Sequence, residues 1–168
     1  MAIKALLINP SITTHGSDSP PNIFVPLGSA YIVAVLEKEN YDVQIVDALA
    51  FGETKQGEDF VHTGLSDSTI RNRIIESKPD VVGITAMFTA YAQNAHDVAQ
   101  IVKEVNPNIQ VVFGGAHVCA NYDLVLKDEN VDLVVKGEGE ITFLEIIRAI
   151  EKGEDPRRIA GTIARLTP

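Results

Sequence analysis

The 168-residue sequence predicts a doubly wound α/β fold with five parallel strands and helices between them. Three observations carry that expectation. The aliphatic runs Ala5–Ile8 and Val81–Ile84 lack apolar–polar alternation, as strands covered on both faces do. Segments of helical spacing alternate with the short aliphatic runs. Two glycine clusters directly follow such runs: Gly114-Gly115-Ala116-His117 after Val111-Val112-Phe113, and Gly137-Glu138-Gly139-Glu140 after Leu133-Val134-Val135.

Each element has a local reason. Ile3–Ile8 is the first buried strand. Pro26 suits the first turn of a helix running to Glu39. Val43–Val46 forms a second strand, ending at Asp47, and residues 51–65 are polar and glycine-containing, which predicts a loop. Ser66 or Asp67 can cap a helix through Ser77, with Ile70, Ile74 and Ile75 on one face and Pro79 beyond it. Asp80–Thr85 is the third strand. Ala95, Val98, Ala99, Val102 and Val105 define a helix over 89–104, stopped before Pro107. Gln110–Phe113 is the fourth strand, followed by a short helix over Asn121–Lys127. Asp132–Val135 is the fifth, and Glu140–Lys152 is a last helix with Gly153 past its end. Ile159–Leu166 is compatible with one more short strand or the start of a linker.

Right-handed crossovers then give a flavodoxin-like, Rossmann-like strand order 2-1-3-4-5, with a ligand site at the carboxyl edge near strands 1 and 3. The unusual loops all fall on that edge: Asn9–Ser19, Ala86–Thr89, Gly114–Cys119 and Gly137–Glu140. Glycine there removes the side chain that would hold a ligand away from the backbone. The expected division is a ligand-binding domain over residues 1–153 and an extension over 154–168.

Bulk properties narrow the function. Apolar residues make up 45% and charged residues 22%, the balance of a globular domain. A net charge of −9, with Lys and Arg scattered, argues against nucleic acid as a partner. No apolar run reaches membrane-spanning length and the N-terminus enters a strand directly, so no membrane partner and a cytoplasmic location are expected. A single cysteine, Cys119, permits neither an intrachain disulfide nor a cysteine-rich metal cluster.

The loop after strand 1, Asn9-Pro10-Ser11-Ile12-Thr13-Thr14-His15-Gly16, lacks the Gly-x-Gly-x-x-Gly of dinucleotide sites, and no P-loop occurs. A phospho-receiver would need acidic residues where Asn9 and Thr85 stand. Ser11, Thr13 and Thr14 partly supply the hydroxyl-rich phosphate loop of a flavin site. A flavin- or nucleotide-binding domain in electron transfer or regulation therefore stays open, as does a ligand-free interaction domain.

Several pieces in order carry a resemblance that spans nearly the whole chain. These are Asn9-Pro10, Pro26-Leu27-Gly28, Val82-Gly83-Ile84-Thr85-Ala86-Met87, Val112-Phe113-Gly114-Gly115-Ala116-His117, and Val134-Val135-Lys136-Gly137-Glu138-Gly139-Glu140. Together they resemble the N-terminal cobalamin (B12)-binding domain of cobalamin-dependent radical SAM enzymes. The resemblance implies a corrinoid cofactor and cofactor contacts at Asn9, Pro10 and Ser11. It implies further contacts at Thr85, Ala86, Met87 and Phe88, at Gly114, Gly115, Ala116 and His117, and at Gly137, Glu138 and Gly139. Thr85 would sit near the nucleotide tail, and the tail would pass beside Gly114-Gly115. The Asp-x-His-x-x-Gly motif of many cobalamin carriers is absent, which leaves the lower axial ligand of cobalt open. S-adenosylmethionine and a 4Fe-4S cluster would belong to a separate radical SAM catalytic domain, in the same or a partner chain, because one cysteine cannot hold a cluster. The implied role is to hold cobalamin for methyl transfer or radical chemistry done elsewhere, with no catalytic residue and no protein metal ligand in this chain.

Simpler roles stand beside these. Gly114-Gly115 also suits a tight turn, and substituting Gly115 is expected to spare the fold. Glu140 suits the first turn of a helix. His62 and His96 are expected at the solvated surface, and His117 in the pocket. His15 lies in the right loop for a cobalt ligand but without supporting spacing. Cys119 is expected as a small buried residue, and Asp47 as a strand-end turn residue.

Overall fold

The computed structural model describes residues 3–15 and 22–165. Its centre is a six-stranded sheet in the order β3-β1-β6-β7-β8-β9. The strands are β1 (Lys4–Asn9), β3 (Asp42–Asp47), β6 (Val81–Thr85), β7 (Gln110–Gly114), β8 (Leu133–Val135) and β9 (Thr162–Ala164). The first five are parallel and reproduce the expected order. β9 pairs antiparallel with β8, so the 159–166 segment adds a sixth strand to the predicted five; Leu166 lies outside the described residues.

The strands bury both faces by simple alternation. Leu6 and Ile8 of β1, Val82 and Ile84 of β6, and Val111 and Phe113 of β7 share one core with α2 (Asp67–Ser77), α3 (Ala92–Val105) and α4 (Ala116–Val125). Ala5, Leu7, Val81 and Val112 face the other core, under α1 (Leu27–Lys38) and α5 (Gly139–Lys152). Gly83 belongs to this second face. A Cβ there would stand 2.6 Å from Leu7 Cδ2 and 3.0 Å from the Phe143 ring, so its absence is what lets α5 seat Phe143 on the sheet.

Helix ends follow local chemistry. Ser66 Oγ accepts the Thr69 backbone N–H at the start of α2. Gly153 takes a left-handed conformation just past α5, and Pro26 stands at the start of α1. The helix expected over 89–104 divides into a short 3-10 turn, Thr89–Tyr91, and α3. α4 begins five residues earlier than the expected Asn121, directly after Gly115, and Asn121 interrupts it with non-helical torsions.

The larger departure is a second sheet. The segment expected as a loop over 51–65 forms β4 (Glu53–Gln56) and β5 (Phe60–Gly64), and the segment after β1 forms β2 (Ile12–His15). They pair antiparallel as β2-β5-β4. β4 is polar and exposed on all four residues, so it carries no alternation for a sequence reading to find. Only pairing with β5, which buries Val61 and Thr63, makes it a strand. Gly16 and the residues to Pro21 lie outside the described residues.

One buried-edge network ties α3 to the sheet. Lys103 Nζ donates to Asp132 Oδ2 (2.7 Å) and to the Ile109 carbonyl (2.8 Å), and Asp132 also accepts the Val111 N–H (2.7 Å). Asp132→Ala leaves the Val111 N–H without this acceptor and Lys103 without its charged partner, holding only backbone carbonyls. It is expected to lower unfolding free energy by about 1–3 kcal/mol in urea titrations, with little change in the denaturant slope.

Candidate functional site

The order β3-β1-β6 reverses direction between β1 and β6, the place where doubly wound sheets open a crevice at the strands' carboxyl ends. A cleft of about 1370 Å³ occupies that edge. This exceeds the roughly 300–1,000 Å³ of clefts that hold drug-sized molecules. Its walls come from the ends of β1, β6 and β7, the start of α1, the first turns of α4 and α5, and the segment Asn22–Pro26.

The residues singled out from sequence converge here. Asn9, Pro10 and Ser11 line one side. Thr85, Ala86, Met87 and Phe88 line the centre with Gly114, Gly115 and Ala116, and Gly137, Glu138 and Gly139 line the other side. His117 is the exception. It is buried in α4 outside the cleft lining, where Nδ1 lies 3.0 Å from Thr89 Oγ1 and 3.3 Å from Asn121 Nδ2. A helix beginning right after Gly115 carries the imidazole away from the edge, which a turn extending to residue 120 would not have done.

The two adjacent glycines have different reasons. Gly115 has φ +124°, and a Cβ there would stand 2.5 Å from the Ala86 carbonyl oxygen. Ala86 in turn accepts the His117 N–H and donates its own N–H to the Gly114 carbonyl (2.8 Å). Gly115 is therefore required by the strand-to-helix turn itself, contrary to the expectation that its substitution spares the fold. A Cβ on Gly114 meets nothing within 4 Å. Gly114 is the glycine that leaves room in the cleft.

The hydroxyls after β1 are committed within the protein. Ser11 Oγ donates to the Leu65 carbonyl (2.7 Å), Thr13 Oγ1 bonds His62 Nδ1 (2.9 Å), and Thr14 Oγ1 donates to the Val61 carbonyl (3.4 Å). The chain after β1 enters a strand rather than a helix, so no helix N-terminus stands there to hold a phosphate. Among the described lining residues Glu138 and Glu140 are the only charged ones; no Lys, Arg or His takes part. Glu140 sits in the first turn of α5, as its acidic side chain favours.

The histidines are placed differently from expectation. His62 is half-buried between Thr13 and the Leu65 carbonyl (3.2 Å) instead of solvated, because β2 pairs over it. His96 is also half-buried, with Nδ1 2.6 Å from Asp128 Oδ2 and its ring against Phe113. His15 is exposed at the end of β2, outside the cleft lining. Among the described residues, no group of three or more His, Cys, Asp or Glu stands close enough to hold a metal ion.

Sequence reasoning passed over some wall residues. Ser29 in the first turn of α1 is buried, and its Oγ lies 3.2 Å from Thr85 Oγ1, so the two hydroxyls form one polar spot on an otherwise apolar floor. The motif Pro26-Leu27-Gly28 was visible, but only the fold brings α1 over β6. Cys119, expected buried, is partly exposed on the wall and accepts the Gly137 N–H (3.4 Å). Asp47 is a strand-end residue as expected; it accepts from Asn9 Nδ2 (2.7 Å) and the Ala50 N–H (3.3 Å).

Two predictions follow from this geometry. Gly115→Ala is expected to lose about 1–3 kcal/mol of stability through its torsion and the Ala86 contact, whereas Gly114→Ala changes stability little; denaturant titration of both reads the contrast. Burial lowers the pKa of His117, with a smaller contribution from nearby His96. The folded state then holds His117 neutral while the unfolded chain protonates near its ordinary value of 6.5. Its penalty is absent above that value and grows as pH falls below it. Melting temperature between about pH 8 and pH 5 should fall more steeply for the wild type than for His117→Gln.

Comparison with known proteins agrees with this architecture. A family model described as the B12 binding domain matches residues 17–147. Cytidylyl-2-hydroxyethylphosphonate methyltransferase of Streptomyces wedmorensis is 42% identical over 146 residues, 84% of this chain and 27% of that protein. Anaerobic magnesium-protoporphyrin IX monomethyl ester cyclase of Rubrivivax gelatinosus is 35% identical over 153 residues, 90% of this chain and 25% of that protein. The chain thus spans about a quarter of the length of these curated relatives. The radical S-adenosylmethionine methyltransferase TsrM of Kitasatospora setae, solved with cobalamin and a [4Fe-4S] cluster, shares the fold. The TM-score is 0.75 and the identity 22%, covering 99% of this chain and 28% of that one. On these matches and the cleft they fall on, the chain belongs to the B12-binding domain family.

Proposed function

We propose that this chain is the cobalamin-holding module of a radical SAM enzyme, holding the cofactor for methyl transfer or radical chemistry done by a separate catalytic domain. The observation that carries the reading is the cleft itself: large, floored by backbone at Gly114, walled mostly by apolar side chains and without a cation among the described lining residues. A flavin phosphate held by the loop after β1 would need free hydroxyls there, and this chain has β2 and hydroxyls bonded within the protein instead. A corrinoid presents a broad, mostly apolar ring system and a long tail, which suit an open apolar floor.

Cobalamin, when bound, supplies a cobalt centre able to carry a methyl group or exchange electrons. The chain's own residues bind and orient it. Met87, Phe88 and Phe24 offer apolar surface, and the Ser29–Thr85 hydroxyl pair offers a polar anchor. Gly114 and Gly28, where an added Cβ would meet nothing, leave backbone free for close approach. With no histidine on the lining, no imidazole of the described residues stands ready as a lower axial ligand. Glu138 and Glu140, on the cleft lining, offer acceptors for amide donors.

The cluster, S-adenosylmethionine and the substrate belong, in this reading, to a catalytic domain in the same or a partner chain. The cofactor-holding unit runs past residue 153, because β9 (Thr162–Ala164) completes its sheet beside β8. A cytoplasmic location goes with it; no helix among the described residues is long and apolar enough to cross a membrane.

The test is retention of a chromophore. After incubation with hydroxocobalamin and desalting, the wild-type chain is expected to keep corrinoid absorbance, and Gly114→Leu to lose most of it with an unchanged far-UV spectrum. A folded wild type that emerges colourless, or that instead retains flavin, would overturn the proposal.

A further inference from the structure

α1 is unlike the other surface helices. From Leu27 to Leu36 it carries no charged side chain, and its outer face presents Leu27, Ala30, Tyr31 and Ala34 at helical spacing. Only Ser29 and Leu36 of this helix are buried, while Leu27 and Tyr31 are each 61% exposed. α3 and α5 in the same fold turn Asp97, Gln100 and Glu104, or Glu145 and Glu151, to solvent. A helix apolar on all sides normally lies inside a structure. The patch continues through exposed Ile23 and Val25 toward the cleft, whose lining α1 enters at Leu27 and Ser29.

We infer that this outer face of α1 is the seat of the catalytic domain. The inference rests on the proposed function and adds the surface through which it operates. Three facts select the occupant. The relatives run to about four times the matched length, so a large further body accompanies this domain in each. The apolar face is continuous with the cleft mouth, and a group carried in an open cleft can react only with partners brought to that mouth. Ala30 and Ala34, one turn apart and both exposed, keep this part of the face small and uncharged, open to close approach by a protein surface. A membrane is a poor occupant, because the face has no Lys or Arg beside it before Lys38 and the chain carries −9.

The experiment uses this chain and, as probe, the separately produced remainder of the Streptomyces wedmorensis methyltransferase, its folding first verified by far-UV circular dichroism. Binding is measured by calorimetry, and amide hydrogen exchange maps the contact. The wild type is expected to bind, with protection over residues 22–36. Ala34→Glu and Tyr31→Glu should each weaken binding by about tenfold or more, and Gln100→Glu on α3 should not. Neither α1 variant should alter far-UV spectra or corrinoid retention, since neither residue lines the cleft. Absence of a wild-type complex, equal binding by the variants, or protection confined to other elements would overturn the inference. So would a wild-type self-association that Ala34→Glu abolishes, which would make a second copy the occupant. If the complex forms and depends on Ala34 while the chain retains no corrinoid, the docking face stands and the cofactor reading falls.

Discussion

The passage of Gly115 beneath the Ala86 carbonyl decides where everything else on the carboxyl edge can be. At 2.5 Å from a would-be Cβ, and with φ +124°, that approach strains every residue but glycine. It lets β7 turn at once into α4 while the Gly114 carbonyl and the Ala86 N–H stay bonded across the β6–β7 seam. Because the turn is so short, α4 rises away from the sheet end and leaves Gly114 bare. The same shortness swings His117 out of the cleft lining and into contact with Thr89. An open floor and an absent histidine are thus two consequences of one backbone constraint.

The second sheet closes the other side. β2, β5 and β4 come from two separate crossover connections, after β1 and after β3, and meet over the carboxyl edge. Their pairing uses the Ser11, Thr13 and Thr14 hydroxyls and half-buries His62. A polar loop that in isolation resembles a phosphate cradle becomes a structural wall. What remains facing the cleft is mostly apolar surface and free backbone, with the Ser29–Thr85 hydroxyl pair, Asn9, Asn22, Glu138 and Glu140 among its polar groups, a chemistry suited to a large ring system.

The surface divides along the same line. Acidic residues dominate the chain as a whole, yet exposed apolar side chains gather around the cleft mouth and along α1. Exposed apolar surface concentrated beside a binding site marks a face that does not stay in water during function. Phe24, Val25, Leu27, Met87 and Phe88 belong to both the site and that face, lining the cleft and standing exposed at its mouth.

The sequence by itself determined the parallel core. Unbroken aliphatic runs can only be strands covered on both faces, and β3-β1-β6-β7-β8 follows from right-handed crossovers. It also placed the cleft lining, since glycines and short polar residues directly after those strands must fall on one edge. Tertiary structure decided what local pattern does not encode. β4 is a strand because β5 lies beside it, and β9 joins because β8 has a free edge. Gly115 and Gly114, identical as letters, differ because only one has a carbonyl above it. His62 and His96 are partly buried because partners from distant segments, Thr13 and Asp128, come to meet them. Period and composition report how a residue sits within its own element. Pairing, close approach and burial arise between elements, and those contacts exist only once the chain has folded.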